Sequence, residues 1–130
     1  MRAFRLAVPC SDLARSRAFY EQVLGVEADD TVPTRLYMHC DGFIVALIDW
    51  AAESHAEPTP VRAGQDSLYF ATDDLEATFA RATAAGAEIT APIETQPWGE
   101  RSFYCTDPDG HPLCFVDATT LWLGRGADWA

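Results

Sequence analysis

Basic residues are scarce: 9 against 20 acids in a chain of 130, for a formal net charge of −11. A field of that sign repels nucleic acid and anionic lipid, so neither is expected as a partner. Long apolar runs are also missing, which excludes a membrane-spanning helix. The first residues, MRAFRLAVPCSDLARSR, lack the apolar core and small-residue cleavage site of a signal peptide, so the expected compartment is the cytoplasm. No C-x-x-C pair occurs among the four cysteines, Cys10, Cys40, Cys105 and Cys114. In a reducing compartment these are expected as free thiols in small-hydrophobic roles. What is present is ordinary for a folded domain. Hydrophobic residues make up 48% and charged residues 22%, which excludes intrinsic disorder. The length suits one compact domain, or two small modules sharing a core. The acidic excess serves solubility or attracts a cationic ligand, and by itself names neither.

Residues 3-AFRLAVPC-10 predict a strand. Ser11 or Asp12 then caps a helix, because a short side-chain oxygen accepts from the first free backbone N–H groups. Leu13, Phe19, Tyr20, Val23 and Leu24 give that helix an apolar face, and Gly25 stops it. Two β-prone runs, 35-RLYMHC-40 and 43-FIVALI-48, flank Asp41-Gly42 and predict a hairpin. After a polar, proline-containing stretch the order restarts. Residues 67-SLYFAT-72 predict a strand, Asp73 or Asp74 a cap, Leu75, Thr78, Phe79 and Ala82 an inner helical stripe, and Gly86 a stop. Runs 101-RSFYCT-106 and 113-LCFVD-117 flank Asp107-Pro108-Asp109-Gly110, which suits a type I turn closed by glycine. The tail 118-ATTLWLGRGADWA-130 supplies a short helix or a loose lid.

The two halves therefore repeat one plan, with Ser11-Asp12-Leu13 matching Asp73-Asp74-Leu75 and Gly25 matching Gly86. Each half buries little alone, and two share a core. This divides the chain into a first module (1–50), a linker (51–66), a second module (67–118) and a tail (119–130).

The stretches 6-LAVPCSDLARSRAFYEQVLG-25 and 68-LYFATDDLEATFARATAAG-86, followed by Asp-Pro-Asp-Gly-His, resemble the vicinal-oxygen-chelate superfamily. That group includes glyoxalase I, extradiol dioxygenases, fosfomycin-resistance enzymes and bleomycin-resistance proteins. The resemblance implies an α+β fold of two βαβββ modules, whose sheets curl around a cup-shaped cleft. It implies a homodimer as the usual assembly. It also implies, for the enzymes, a divalent metal held by His or Glu on the first and last strands of the modules, with positions left open for substrate. Aligned from the Asp-Leu that opens each helix, those ligand positions fall on Arg5, Ser67, Cys114 and a residue near Ala46 or Leu47. None is His or Glu, and a guanidinium cannot ligate. His39, His55 and His111 lie elsewhere. No metal and no cofactor is therefore expected, and no catalytic set stands out.

Metal-free members of the group bind drugs. Gln96-Pro97-Trp98-Gly99 is similar to the segment of bleomycin-resistance proteins in which a tryptophan walls a cleft between subunits and stacks on a flat part of the drug. The implied function is sequestration of a flat aromatic natural product, such as a cationic glycopeptide or an enediyne type. The alternative is a lyase, isomerase or dioxygenase with unrecognised active-site residues. The residues assigned to the ligand are Trp98, Tyr37, Trp50, Arg5, Arg35, Ser67, Phe103 and Cys114. Arg5 and Arg35 either bind a carboxylate or phenolate of the ligand or pair with an internal acid. Trp98 is alternatively a packed cover over the hairpin. The second aromatic that faces the tryptophan in the drug-binding proteins aligns near Thr34, and Tyr37 or Trp50 would have to replace it.

Overall fold

The computed structural model describes residues 1–56 and 66–124. The first half runs β1 (Arg5–Cys10), α1 (Leu13–Leu24), β2 (Arg35–Cys40), β3 (Phe43–Asp49) and a short α2 (Trp50–Ser54). The second runs β4 (Leu68–Thr72), α3 (Leu75–Ala84), β5 (Glu88–Thr95), β6 (Arg101–Thr106) and β7 (Pro112–Asp117), then a 3-10 turn at Ala118–Thr120. Local chemistry sets most of these boundaries. Asp12 accepts from the Arg15 N–H, and Asp74 from the Ala77 N–H, each satisfying an orphan donor of the helix it opens. Gly25 ends α1 in the left-handed region at φ 69°. Asp41 and Gly42 both take positive φ, as the tight turn between β2 and β3 requires.

The repeat holds at the level of topology. One sheet is ordered β1-β3-β2, the other β4-β7-β6-β5. In each, the first strand runs parallel to the last, and the last antiparallel to its hairpin partner. The registers pair Ala7 with Ala46 and Ala46 with Tyr37. They likewise pair Tyr69 with Cys114 and Cys114 with Tyr104. Ala46 is thus the counterpart of Cys114, and Tyr37 of Tyr104.

Four strands are expected in each module, and the first differs from that. Its outermost strand is reduced to a single bridge between Asp29 and Tyr37. The reason lies in 26-VEADDTVPT-34. The Asp29 carboxylate turns back to accept from the Thr31 N–H and hydroxyl, and Arg35 N–H closes a turn on Val32 O. These local bonds compete with a ladder. The matching strand β5, not assigned from the sequence, pairs along β6 with register shifts on either side of Ala91, near Pro92. Helix α2 occupies the start of the expected linker, and residues 57–65 lie outside the described ones.

One core spans both modules. Val8, Phe19, Val23, Leu36, Met38 and Val45 from the first meet Leu75, Phe103, Leu113 and Phe115 from the second. Helices α1 and α3 pack together between the sheets. The hairpin turn of the second module fastens the first. Buried Asp107 accepts from the Tyr20 hydroxyl at 2.6 Å and from the N–H groups of Asp109 and His111. Asp109 accepts from Ser11 and Arg15, and His111 Nε2 lies 2.9 Å from Pro9 O. Among the described residues no helix is long and apolar enough to cross a membrane.

Replacing Tyr20 with Phe removes one donor from the buried Asp107 carboxylate. The expected loss is about 1.5–3 kcal/mol, the range for a hydrogen bond to a charged group. Urea unfolding should show a lower midpoint at unchanged slope.

Candidate functional site

Each sheet has one face against the helices and one face open. On the first sheet the open face carries Arg5, Ala7 and Pro9 from β1, Ile44, Ala46 and Ile48 from β3, and Arg35, Tyr37 and His39 from β2. On the second it carries Tyr69, Cys114, Tyr104, Ser102 and Val116. Ala46, Ile48, Cys114 and Val116 are buried yet stand outside the core cluster, as expected for central-strand positions on the open faces. Of the two residues proposed for the fourth ligand position, Ala46 is on the open face, and Leu47 belongs to the core.

A cleft of about 460 Å³ opens between the facing edges β1 and β4. Its walls include Arg5, Leu6, Val8, Phe43, Ser67, Leu68 and Leu113, with Asp66 and His111 also lining it. Arg5 and Ser67, separated by more than sixty positions, are thus brought to one place. The Arg5 guanidinium lies 5.1 Å from the centroid of the Phe4 ring and 5.9 Å from that of Tyr37. Arg35 is engaged differently: Glu53 binds it through two bonds of 2.8 Å. That carboxylate raises the Arg35 pKa, and Arg35 in turn holds the Glu53 carboxyl below its usual value. Of the two alternatives for Arg35, pairing with an internal acid is the one realised. Trp50 stands half-buried at the head of α2.

Phe103 is a correction. It is fully buried on the helix side of the second sheet, stacked on Phe115 at 5.2 Å and edge-on to Phe79 at 5.1 Å. It is core, and no ligand reaches it. Strand alternation gave the two faces of β6 without saying which faced the helix.

Cys114 lies on the open face between Tyr69 and Tyr104, whose hydroxyls are 3.1 Å apart. The hydrogen bond with Tyr69 raises the Tyr104 pKa. Burial pushes the Cys114 thiol up to about 11, Cys10 to about 11 and Cys105 to about 12. These are protonated thiols at neutral pH, with no activated nucleophile among them. The residues at the inherited positions do not fit a divalent metal. Arg5 cannot donate, Ala46 has no donor, Ser67 offers a neutral hydroxyl, and the Cys114 sulfur has no second soft donor among them. Among the described residues no three His, Cys, Asp or Glu side chains gather as a metal site.

Trp98 sits in the β5–β6 turn, where Gly99 N–H bonds Gln96 O and Gly99 takes φ 98°. It is 47% exposed, so it does not cover the hairpin as a packed side chain. Its indole N–H donates to Glu100 at 2.7 Å, and the other Glu100 oxygen accepts from the Trp122 N–H at 2.9 Å. The turn lies toward the β5 edge of its sheet, away from β4, and Trp98 does not line the cleft. Within one chain, therefore, Trp98 is separate from Arg5 and Ser67. Glu100, Tyr69 and Tyr104 were not assigned to the site from sequence. Glu100 gave no sign of its role, because both of its partners depend on the folded turn and tail.

A family model described as Glyoxalase/Bleomycin resistance protein/Dioxygenase superfamily matches residues 2–115. YwkD of Bacillus subtilis (strain 168), an uncharacterised protein, is 28% identical over 116 residues, covering 83% of this chain and 90% of YwkD. Glutathione transferase FosA of Serratia marcescens is 29% identical over 108 residues, covering 83% of this chain and 74% of FosA. The chain spans about half the length of mycobacterial relatives with which it shares 31% identity over 78 residues. The crystal structure of lactoylglutathione lyase from Agrobacterium tumefaciens shares the fold. Its TM-score is 0.71 at 24% identity, over 95% of this chain and 98% of that one. The chain belongs to the glyoxalase/bleomycin resistance protein/dioxygenase superfamily.

Proposed function

We propose that this protein binds a flat aromatic small molecule without a metal and holds it unchanged. The observation that carries this reading is the combination at the inherited positions. Arg5, Ala46, Ser67 and Cys114 supply no His or Glu donor, while the two sheets still frame a cleft of about 460 Å³. A cleft with apolar walls and a few polar groups suits a small organic ligand. Protonated thiols argue against covalent chemistry at Cys10, Cys105 or Cys114.

Trp98 has the exposure and the restraint of a stacking wall. Glu100 fixes the indole N–H, so little side-chain entropy is lost when a flat ring settles on it. Because Trp98 lies apart from the β1–β4 cleft, the wall would complete a cleft on a second copy of the chain in a homodimer. Antibiotic sequestration is the use we propose for such a site. A cationic drug is the less suitable form, since Arg5 lines the cleft. The likeness to a glutathione transferase favours a second reading, catalysis by the same cleft with its own residues.

Purified protein mixed with an enediyne-type drug should show quenched tryptophan fluorescence. Trp98→Ala should weaken apparent affinity by about tenfold, as expected for the loss of about 1.4 kcal/mol of stacking. The drug should be recovered chemically unchanged. A modified product would establish the enzyme reading, and one tightly held divalent metal per chain by elemental analysis would overturn the proposal.

Thiol reactivity gives an independent check. A thiol of pKa about 11 is roughly one part in a thousand ionised at pH 8, and the fraction rises only as pH climbs toward that value. Iodoacetamide at pH 8 should label native protein at Cys40 at most, and all four cysteines after unfolding in urea. Fast native labelling of Cys10 or Cys114, read by mass spectrometry, contradicts the non-covalent mechanism.

A further inference from the structure

The charge arrangement in the β1–β4 cleft bears on which ligands it accepts, and the argument rests on the proposed binding role of that cleft. Three basic side chains share the open face of the first sheet: Arg5, Arg35 and His39. Arg35 is neutralised by Glu53 through a two-point bond, and His39 faces Asp29 at 3.8 Å. Arg5 differs. Among the described residues no carboxylate oxygen lies within 4.0 Å of it, although the chain carries 20 acids. Asp66 lines the same cleft and stays beyond that distance. Arg5 is exposed and lines an apolar cleft, so its guanidinium is open to a negatively charged ligand.

The surroundings favour a ligand over solvent alone. The Phe4 and Tyr37 rings lie within cation–π distance of the guanidinium, and among the described residues its N–H fork is free of carboxylate. That fork matches a two-oxygen anion, and charge-assisted bonds of this kind are about twice as strong as neutral ones. Ser67, on the opposite strand edge, offers a hydroxyl donor to the same cleft. Leu6, Val8, Phe43, Leu68 and Leu113 supply apolar wall for the rest of the molecule. Arg5 and Ser67 are also equivalent positions of the two modules, seven residues before Asp12 and Asp74.

We propose that the β1–β4 cleft selects a small organic anion, a carboxylate, sulfonate or phenolate on an apolar body, with its charge held by Arg5 and Ser67. The test uses two probes of one ring system. Anilinonaphthalene sulfonate carries the anion, and N-phenylnaphthylamine lacks it. The wild-type protein should bind the sulfonate more tightly, despite its own net charge of −11. Arg5→Gln should weaken sulfonate binding by about tenfold and leave the neutral probe unchanged. Arg5→Lys should restore part of the loss. Arg17→Gln removes the same charge from α1, outside the cleft, and should change neither probe. Urea midpoints of all variants separate lost binding from lost folding.

Equal binding of both probes, indifferent to Arg5→Gln, would overturn anion selection while leaving the cleft as a binding site. Failure of both probes to bind would overturn the cleft itself. Dissociation of a dimer by Arg5→Gln, with no change in probe affinity, would place a carboxylate of a second copy on Arg5 and also overturn the proposal.

Discussion

The Asp107 carboxylate is the constraint on which the arrangement of the two modules depends. It is buried, and burial of an ionised group is tolerated only where donors replace water. Three donors do so. Two are backbone N–H groups of its own turn, which close Asp107-Pro108-Asp109-Gly110 into a fixed shape. The third is the Tyr20 hydroxyl, from the helix of the other module. A residue that serves first as turn chemistry therefore also serves as a clasp. Its neighbours extend the clasp along β1: Asp109 reaches Ser11, and His111 reaches Pro9 O. With the end of β1 held against the β6–β7 turn, the edges β1 and β4 face one another without pairing. The gap between them is the cleft.

The repeated registers let the two halves be compared position by position. Ala46 and Cys114 are equivalent, as are Tyr37 and Tyr104, and Arg5 and Ser67. The halves have kept the geometry and exchanged the chemistry. In the first, a cation stands over aromatic rings and an apolar floor. In the second, two tyrosines joined through their hydroxyls flank a buried thiol. Neither half offers an imidazole or carboxylate at these positions, so the frame survives without the donor set. That is the general relation of fold to site: the sheets position side chains, and the side chains decide what is bound.

What could be read from sequence divides along the same physical line. Caps and turns were legible because their energetics are local. Asp12, Asp74, Gly25 and the Asp41-Gly42 turn each answer a need of the backbone within four residues. The family resemblance rests on residues 6–25 and 68–86 and on Asp107-Pro108-Asp109-Gly110-His111, the stretches that contain the caps. The outer strand of the first module was not legible, because Asp29 and Thr31 form bonds that withdraw the segment from its ladder. Phe103 was assigned to the wrong face because alternation fixes which residues share a side and leaves open which side meets the helix. The placing of Ala46 on the open face and Leu47 in the core has the same origin. Arg5 and Ser67 are equivalent positions in the sequence repeat, yet their meeting in one cleft depends on the clasp. The Glu100 contacts of Trp98 and Trp122 were hidden altogether, since they join a turn to a tail twenty-two residues away.

The net charge of −11 and the unpaired Arg5 act over different ranges, which removes the apparent conflict between them. Exposed charges are screened beyond about 8 Å at physiological ionic strength. The acidic surface therefore affects the approach of an anion more than its final binding. Inside the cleft the first contact decides, and there the cation has apolar walls and, among the described residues, no competing carboxylate at bonding distance. Arg35 shows what an internal acid does when it is present: Glu53 takes one two-donor edge of the guanidinium and neutralises its charge. The two arginines on one sheet face are thus a natural contrast. One has its anion built into the fold, and the other has rings around it and an open fork. Long-range repulsion then works as a filter on rate, while the local fork sets which molecule stays bound.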